Sequence, residues 1–251
     1  MKNKILPIVA FVALSALILT YFIPHRVYAD DSLHDGSGIF FIGDSTTNSF
    51  KHYGVISEER VWTGVGNTLS MWDISRKRIS LSASALEKYK SLDGYGNFSE
   101  KIRKDGDKYS MKIVDAVSLV RPKNLVITLG INGCACMSEE SFLREYSLII
   151  EAVMASSDTT KIFLNSIFPV AQRSSAVKNS DIERANAIIR SLAMKYRLNY
   201  IDSFSYLRAF TDKNGDMDRK ILDSEDGIHY SARGCKLICD FIEEEVCKAN
   251  G

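Results

Sequence analysis

Short apolar runs that alternate with helical patterns constrain the fold of this chain more than any other feature of its sequence. Five runs have the length of strands, the second being the weakest: residues 39–42, 61–63, 125–128, 161–165 and 199–202. Strands buried on both faces of a parallel sheet are nearly continuous in apolar residues. Apolar residues at helical spacing follow Ser138, Ser180 and Ser231, and Ser180 with Glu183 predicts a capping box. The alternation predicts one α/β sandwich whose parallel sheet is covered on both faces.

The N-terminal segment has the pattern of an export signal. Two lysines precede an apolar run at residues 5–23, and small residues then lead to Ala29. This layout is typical of a secretory signal cleaved after Ala29, but the run is also nearly long enough for an uncleaved anchor. We therefore predict a signal peptide or membrane anchor at residues 1–29, a linker at 30–38 and the folded domain at 39–251. Either alternative places the domain outside the cytoplasm, secreted or anchored.

The balance of charge argues against a nucleic-acid partner. The chain has 32 basic and 31 acidic residues, a formal net charge of +1. A protein that binds nucleic acid through its phosphates carries a basic field, which is missing here. The one membrane contact that the sequence predicts is a possible tether through the N-terminal segment.

Residues 76–110 interrupt the alternation of strands and helices with many charges and three glycines. Such a segment is either a solvated surface insertion or a lid or binding loop beside a site. Its tyrosines, together with Trp62, Trp72 and Tyr53, could offer aromatic faces to sugar rings. Burial in the core is the alternative for the two tryptophans.

Five cysteines in an exported chain raise the question of disulfides and metal ligands. Cys235 and Cys239 fall on the apolar stripe of the last predicted helix, where cysteine behaves as a small hydrophobe. We therefore predict no metal site. A disulfide from the loop of Cys134 and Cys136 to the last helix is the more plausible use of these thiols.

A second pattern of oxygen ligands resembles a calcium loop. Its acidic and amide side chains alternate along one stretch: Asp212, Asn214, Asp216 and Asp218. Glycine is missing at the sixth position of this loop, where the sharp turn of a calcium loop needs it. The stretch is predicted to be a polar turn.

The polar turn at residues 43–47 (GDSTT) follows the first apolar run. It is either a simple strand-to-helix turn capped by Asp44 or Ser45, or a chemical site at the carboxyl end of a central strand. A nucleophilic Ser45 needs a base and a group that orients the base. Asp226 and His229 are spaced so that the carboxylate can fold back onto the imidazole. The alternative for His229 is a surface residue in a helix N-terminal turn.

Two further turns could donate hydrogen bonds to an oxyanion. Asn132 follows the run at residues 125–128, and Gly66 follows the weaker strand at residues 61–63. Each also has a purely structural interpretation, Asn132 as a residue in a left-handed turn and Gly66 as a loop hinge.

In this order along the chain, the four motifs resemble those of the SGNH/GDSL hydrolase family. The residues that carry the resemblance are Gly43-Asp44-Ser45, Gly66-Asn67-Thr68, Gly130-Ile131-Asn132 and Asp226 with His229. The resemblance spans about residues 39–248 and implies a three-layer sandwich with a mostly parallel, flavodoxin-like sheet.

The same resemblance implies the role of each residue. Ser45 would attack an ester, His229 would be the base, and Asp226 would orient His229. The oxyanion hole would combine the Ser45 and Gly66 backbone N–H groups with the Asn132 side chain. No cofactor and no metal are expected, because the oxyanion hole supplies the electrostatic stabilisation.

One position departs from the family pattern, in which an aspartate usually follows the asparagine. Here Gly133 follows Asn132. The loop of Cys134 and Cys136 is a candidate to replace the support that this aspartate gives.

We therefore expect an exported serine esterase that removes short acyl groups, most plausibly acetyl groups on a carbohydrate. The segments around the motifs contain no long apolar stretch that could line a fatty-acyl tunnel. The alternatives are a lipase or lysophospholipase on the same fold, and a non-catalytic surface module that binds glycan.

Overall fold

The computed structural model describes residues 38–222 and 224–251. The predicted signal or anchor at residues 1–29, and the predicted linker up to residue 37, lie outside the described residues. Among the helices of the described part, none is long and apolar enough to cross a membrane.

Eight strands and seven α-helices follow one another along the described chain. The strands are β1 (Ile39–Gly43), β2 (Val61–Trp62), β3 (Arg78–Leu81), β4 (Arg103–Asp105), β5 (Lys108–Lys112), β6 (Asn124–Thr128), β7 (Lys161–Asn165) and β8 (Asn199–Ile201). The helices are α1 (Ser45–His52), α2 (Ala83–Lys90), α3 (Ile113–Val120), α4 (Glu139–Ser156), α5 (Asn179–Tyr196), α6 (Ser203–Arg208) and α7 (Ala232–Asn250). All five strands expected from the apolar runs are present, with ends that differ by one residue at most.

The central sheet is parallel throughout and has the strand order β2-β1-β6-β7-β8. β1 and β6 are in register from Ile39 opposite Asn124 to Gly43 opposite Thr128. Both strands therefore end at the same level, and the turns that follow them lie side by side. This order, with the first strand inside the sheet, is that of flavodoxin-like folds. The predicted fold class is confirmed.

Two apolar cores cover the two faces of this sheet, which makes the three layers. One core contains Ile42 and Ile127 with the buried residues of α3, α4 and α5. The other contains Phe41 and Val126 with the buried residues of α1 and α7. Neighbouring residues of one strand point to opposite faces, so a strand without polar residues is buried on both sides.

The start of α5 differs from the predicted capping box of Ser180 and Glu183, which is wrong. The helix begins at Asn179, and Asp181 accepts a hydrogen bond from the Lys178 N–H at 3.2 Å. Asn179 also binds the backbone N–H and C=O of Val170 at 2.9 and 2.8 Å. These bonds to the loop before the helix fix its start two residues earlier than the local sequence predicts.

The segment at residues 76–110 is not a simple solvated insertion. Its strands β3, β5 and β4 pair antiparallel in a small sheet, and Ile79 forms an isolated bridge with Gly64 beyond β2. Tyr89 of α2 is fully buried and its hydroxyl lies 2.6 Å from the Trp62 indole nitrogen. The inner face of the segment therefore belongs to the main core, and its charges lie on the outer face.

The predicted disulfide does not form, since all five cysteines are free thiols. Cys134 packs in the core on one face of the sheet, whereas Cys235 and Cys239 pack in the core on the other face. A disulfide needs its two Cα atoms within about 7 Å, and the sheet separates these side chains. Burial also raises the pKa of the Cys134 and Cys235 thiols to about 12, which keeps them protonated.

We predict that Ile79→Ala lowers the free energy of unfolding by about 2–5 kcal/mol, because it removes a fully buried side chain from the shared core. Urea denaturation measures the change. Lys108→Ala, on the exposed side of the same small sheet, is the control and should stay within about 0.5 kcal/mol of the parent. An Ile79→Ala protein as stable as the parent would contradict the shared core.

Candidate active site

The turn between β1 and α1 presents Ser45 at the first position of the helix. Asp44 is the N-cap, and its carboxylate accepts hydrogen bonds from the Thr46 N–H at 3.1 Å and the Thr46 hydroxyl at 2.7 Å. Position 43 requires glycine, because a side chain has no space there. A Cβ would lie 1.8 Å from Thr47 Oγ1 and 2.5 Å from Thr128 Oγ1. The capping and the chemical interpretations of this turn are therefore compatible.

Ser45, His229 and Asp226 meet above the carboxyl end of β1. His229 Nε2 lies 2.9 Å from Ser45 Oγ, and His229 Nδ1 lies 2.6 Å from Asp226 Oδ2. When Nδ1 carries the proton that binds Asp226, Nε2 is free to accept the Ser45 hydroxyl proton. The side chains of His229 and Asp226 are 37% and 45% exposed, so the site is open to solvent.

Ser224 also takes part in the hydrogen bonds around Asp226 and His229, and it was not predicted from the sequence. Its hydroxyl donates to Asp226 Oδ1 at 2.6 Å and accepts from the His229 N–H at 3.1 Å. Burial alone would raise the pKa of the Asp226 carboxyl, but hydrogen bonds from Ser224, Ile228 and His229 outweigh burial and hold this pKa well below its usual range. Asp226 is therefore ionised at any pH near neutrality. A serine two residues before the aspartate is the local signal that could have indicated such a turn.

Asp44 joins the Ser45 turn to the turn after β6. Its Oδ2 accepts from the N–H groups of Gly130 and Ile131, both at 3.2 Å. The side chain is 1% exposed. Burial raises the pKa of the Asp44 carboxyl above its ordinary value, and the bonds from Thr46, Ile131 and Gly130 oppose that rise. Asp44 thus links the start of α1, which contains Ser45, to the turn that precedes Asn132.

Asn132 is held in turn by the loop that follows β2. Its Nδ2 donates to Thr68 Oγ1 at 2.8 Å and to the Leu69 C=O at 3.2 Å. Gly66 lies in the same loop, in a turn closed by the bond from the Asn67 N–H to the Gly64 C=O at 2.9 Å. The φ of Gly66 is 88°, a value that favours glycine at the third position of such a turn.

The structure therefore brings the Asn132 side chain against the loop that contains Gly66. The hydroxyl of Thr68, which the sequence interpretation did not single out, is the side-chain contact that joins them. Because that hydroxyl accepts from Asn132, its own proton remains to be donated elsewhere.

Gly133 stands where the family pattern has an aspartate, and methionine side chains pack closely around it. A Cβ there would lie 2.8 Å from Met137 Sδ and 3.0 Å from Met71 Cγ. The two methionines therefore occupy the space next to Gly133. The Sγ atoms of Cys134 and Cys136 bond to backbone carbonyls of their own turn, that of Asn132 among them, and the expectation that this loop replaces the aspartate stays a prediction.

The two tryptophans considered for sugar binding differ in exposure. Trp62 is fully buried, in agreement with the core alternative, whereas Trp72 is 47% exposed. Trp72 directly follows Met71, which packs on Gly133, so it lies beside the Asn132 turn. Tyr53 is exposed but follows the end of α1, about 12 Å along that helix from Ser45.

The acidic stretch that resembles a calcium loop forms turns instead. Asp212 Oδ1 accepts from the N–H groups of Asn214 and Asp216 at 2.8 and 3.0 Å, and Asp218 Oδ1 accepts from Lys220. Across the described residues, no three histidine, cysteine or acidic side chains are grouped so that they could hold a metal ion.

One family model covers most of the chain. The model of the GDSL-like lipase/acylhydrolase family matches residues 41–237. Among curated proteins, none matches the chain.

Solved structures show the same fold at low sequence identity. A candidate acylhydrolase from Bacteroides fragilis is 14% identical with a TM-score of 0.52, over 86% of this chain and 87% of that chain. A candidate platelet activating factor from Streptococcus pneumonia is 19% identical with a TM-score of 0.51, over 84% and 86%. An acetyl xylan esterase is 19% identical with a TM-score of 0.50, over 83% and 98%.

We predict that Asp44→Asn lowers the free energy of unfolding by about 1–3 kcal/mol, because an amide nitrogen replaces one of the carboxylate oxygens that accept four buried hydrogen bonds. Urea denaturation measures the loss, and the Gly130 and Ile131 amides should exchange faster with deuterium. Asp93→Asn, at an exposed turn, is the control. Unchanged exchange at both amides would show that Asp44 does not hold the second turn.

Proposed function

Because this chain belongs to the GDSL-like lipase/acylhydrolase family and is an ester hydrolase, we propose that Ser45, His229 and Asp226 carry out the hydrolysis. The observation that carries the proposal is the continuous line of hydrogen bonds from Ser45 Oγ through His229 to Asp226, at 2.9 and 2.6 Å. A hydroxyl is a weak nucleophile unless a base removes its proton, and this line supplies the base together with its orienting carboxylate.

The reaction proceeds in two halves. Ser45 Oγ attacks the ester carbonyl carbon while its proton passes to His229 Nε2, and the carbonyl oxygen becomes an oxyanion. The tetrahedral intermediate then expels the alcohol, which takes the proton from His229, and the acyl group stays on Ser45. A water molecule repeats these steps in the second half, so that the carboxylic acid leaves and Ser45 regains its proton. Asp226, already ionised, stabilises the imidazolium in both halves.

The oxyanion is bound by the Ser45 and Gly66 N–H groups and by the Asn132 side chain. Asn132 has two amide hydrogens, and in the structure it donates them to Thr68 Oγ1 and the Leu69 C=O. Binding the oxyanion exchanges one of these bonds, and the bond to Leu69 is the longer at 3.2 Å. Thr68 then keeps the amide oriented while the charge develops.

We predict that Ser45→Ala and His229→Ala abolish hydrolysis of p-nitrophenyl acetate, and that Asn132→Ala lowers kcat by about 10²–10³ because one oxyanion donor is lost. His52→Ala is the control, since His52 lies at the far end of α1 and should retain full activity.

Circular dichroism verifies that each variant is folded, and a fluorophosphonate probe should label the parent at Ser45. A purified Ser45→Ala protein with parental rates would overturn this mechanism, and an unlabelled, inactive parent would favour the non-catalytic glycan-binding alternative.

The substrate that we propose is a short-chain ester, an O-acetyl group on a carbohydrate. Trp72 supports this choice, because an exposed indole beside the Asn132 turn offers a flat apolar face to a sugar ring. The open, polar surroundings of Ser45 also suit a hydrophilic substrate, since His229 and Asp226 are partly exposed beside it. One solved structure with this fold is an acetyl xylan esterase, which makes acetylated xylan a practical probe.

The place of action that we propose is outside the cytoplasm, with the domain secreted or tethered through residues 1–29. The basic start, the apolar run and the small residues before Ala29 support this proposal. Cell-wall and environmental glycans are accessible there, in keeping with a carbohydrate ester as substrate.

We predict that kcat/KM falls steadily along a series of p-nitrophenyl esters from acetyl to octanoyl, because the partly exposed polar side chains of His229 and Asp226 lie beside Ser45. The series is measured at concentrations below micelle formation. A rise toward octanoyl would favour the lipase or lysophospholipase alternative and would leave the Ser45 mechanism intact.

A further inference from the structure

A cavity of about 300 Å³ lies between α5 and the end of β8, away from Ser45. The residues that line it include Glu183, Asn186, Arg190, Tyr200, Asp202 and Phe204. Its volume is at the lower end of the range for small-molecule sites. The mechanism proposed for Ser45 uses none of these residues.

Part of the cavity lining lies at the same edge of the sheet as the proposed active site. Asp202 directly follows β8 as Asp44 directly follows β1, and parallel strands end at one edge. β8 is three strand positions from β1, a lateral distance of about 14 Å at the usual spacing of strands. A polymer bound across this edge could reach both places, whereas a small ester could not.

A short chain of contacts connects the two places. Asn186, in the wall of the cavity, binds the N–H and C=O of Ile167 at 2.7 and 3.1 Å. Ile167 packs against Gly130, where a Cβ would lie 2.6 Å from Ile167 Cδ1. Gly130 is one of the two residues after β6 that Asp44 binds. Asn186 in the cavity wall is therefore connected, through Ile167, to the turn at Gly130 that precedes Asn132.

The lining of the cavity has the chemistry of a sugar site. Arg190 donates to Asp202 Oδ2 at 2.6 Å and lies over the Tyr200 ring, 4.8 Å from its centroid. Arg190 also bonds the Tyr200 hydroxyl, which leaves three of the five N–H donors of the guanidinium, and Glu183 adds a carboxylate that accepts hydrogen bonds. Half-buried Phe204 adds an apolar face. Fixed polar groups around an aromatic face match the hydroxyls and the C–H face of a sugar ring.

Other ligand classes fit this lining poorly. Two carboxylates against one guanidinium give the cavity a net negative charge, which disfavours phosphates and other anions. An acyl chain would have to cover the Arg190–Asp202 ion pair and remove it from water, at a cost that its small apolar contact would not offset.

We propose that this cavity binds a neutral sugar residue of the polysaccharide whose acetyl ester is cleaved at Ser45, several residues along the polymer from the ester. The proposal rests on the carbohydrate substrate proposed above. Binding energy from this remote residue positions the ester for attack, so longer substrates are cleaved more efficiently.

The test uses O-acetylated xylo-oligosaccharides from the disaccharide to the hexasaccharide, with p-nitrophenyl acetate as a substrate that reaches Ser45 alone. For the parent enzyme, kcat/KM should increase with oligosaccharide length. In Arg190→Ala, the ratio of kcat/KM for the hexasaccharide to that for the disaccharide should fall about fivefold to tenfold, mainly through KM, because a charged hydrogen-bond donor is lost. Glu183→Ala should lower the same ratio.

Arg184→Ala is the matched control. Arg184 lies on the same helix, its side chain is 55% exposed like that of Arg190, and it forms an equally short ion pair of 2.6 Å, with Asp181. It does not line the cavity, so its variant should keep the parental length dependence.

A measurement without turnover separates binding from catalysis. Calorimetric titration of the Ser45→Ala protein with unacetylated xylohexaose should give binding that the added Arg190→Ala change weakens about fivefold to tenfold.

The outcomes distinguish this inference from the proposed function. Length dependence and xylohexaose binding that Arg190→Ala and Glu183→Ala leave unchanged would overturn the sugar-binding cavity alone. Hydrolysis of p-nitrophenyl acetate without hydrolysis of any acetylated oligosaccharide would overturn the carbohydrate substrate, and the cavity proposal with it.

Discussion

The Asp44 carboxylate lies between two turns that are 86 residues apart in the sequence, and it binds both of them through buried hydrogen bonds. On one side it caps the helix that begins with Ser45, and on the other it holds the N–H groups that precede Asn132. A buried carboxylate without a cationic partner is tolerated only when such donors surround it. The relative position of Ser45 and Asn132 therefore depends on this one side chain.

The parallel sheet makes that interaction possible. β1 and β6 are paired in register, so Gly43 and Thr128 end their strands at the same level. The close packing of Thr47 and Thr128 on Gly43 then brings α1 down onto the sheet edge. Apolar cores on both faces keep these strands from shifting, since a slip of one residue would turn every side chain to the other face. The geometry of the site thus follows from strand register more than from the loops.

Local patterns in the sequence were sufficient for the five strands of the central sheet, for the helices capped by Ser138 and Ser231, and for the approach of Asp226 to His229. Each of these depends on residues that are close along the chain. Two contacts that were not foreseen join segments far apart in the sequence, Met71 with Gly133 and Thr68 with Asn132. A third, Asn179 with Val170, joins the start of α5 to the loop nine residues before it.

The cysteines illustrate the same limit. Cys134 and Cys235 are both buried, but the sheet places them in different cores. The side of the sheet on which a helix packs depends on the order of the strands and on the crossovers between them. A single sequence carries little local information about either.

Met71 and Gly133 also explain how this chain manages without the aspartate of the family pattern. The loop after β2 is anchored in the core by Met71 and Leu69, and it binds the Asn132 side chain through Thr68 and the Leu69 carbonyl. Asn132 is therefore oriented before any substrate arrives. In the proposed mechanism one of these two bonds is exchanged when the oxyanion binds, while the other keeps the amide in place, so only part of the arrangement has to change. Core packing of the loop and the two hydrogen bonds that it accepts together supply the support that the family aspartate would otherwise give.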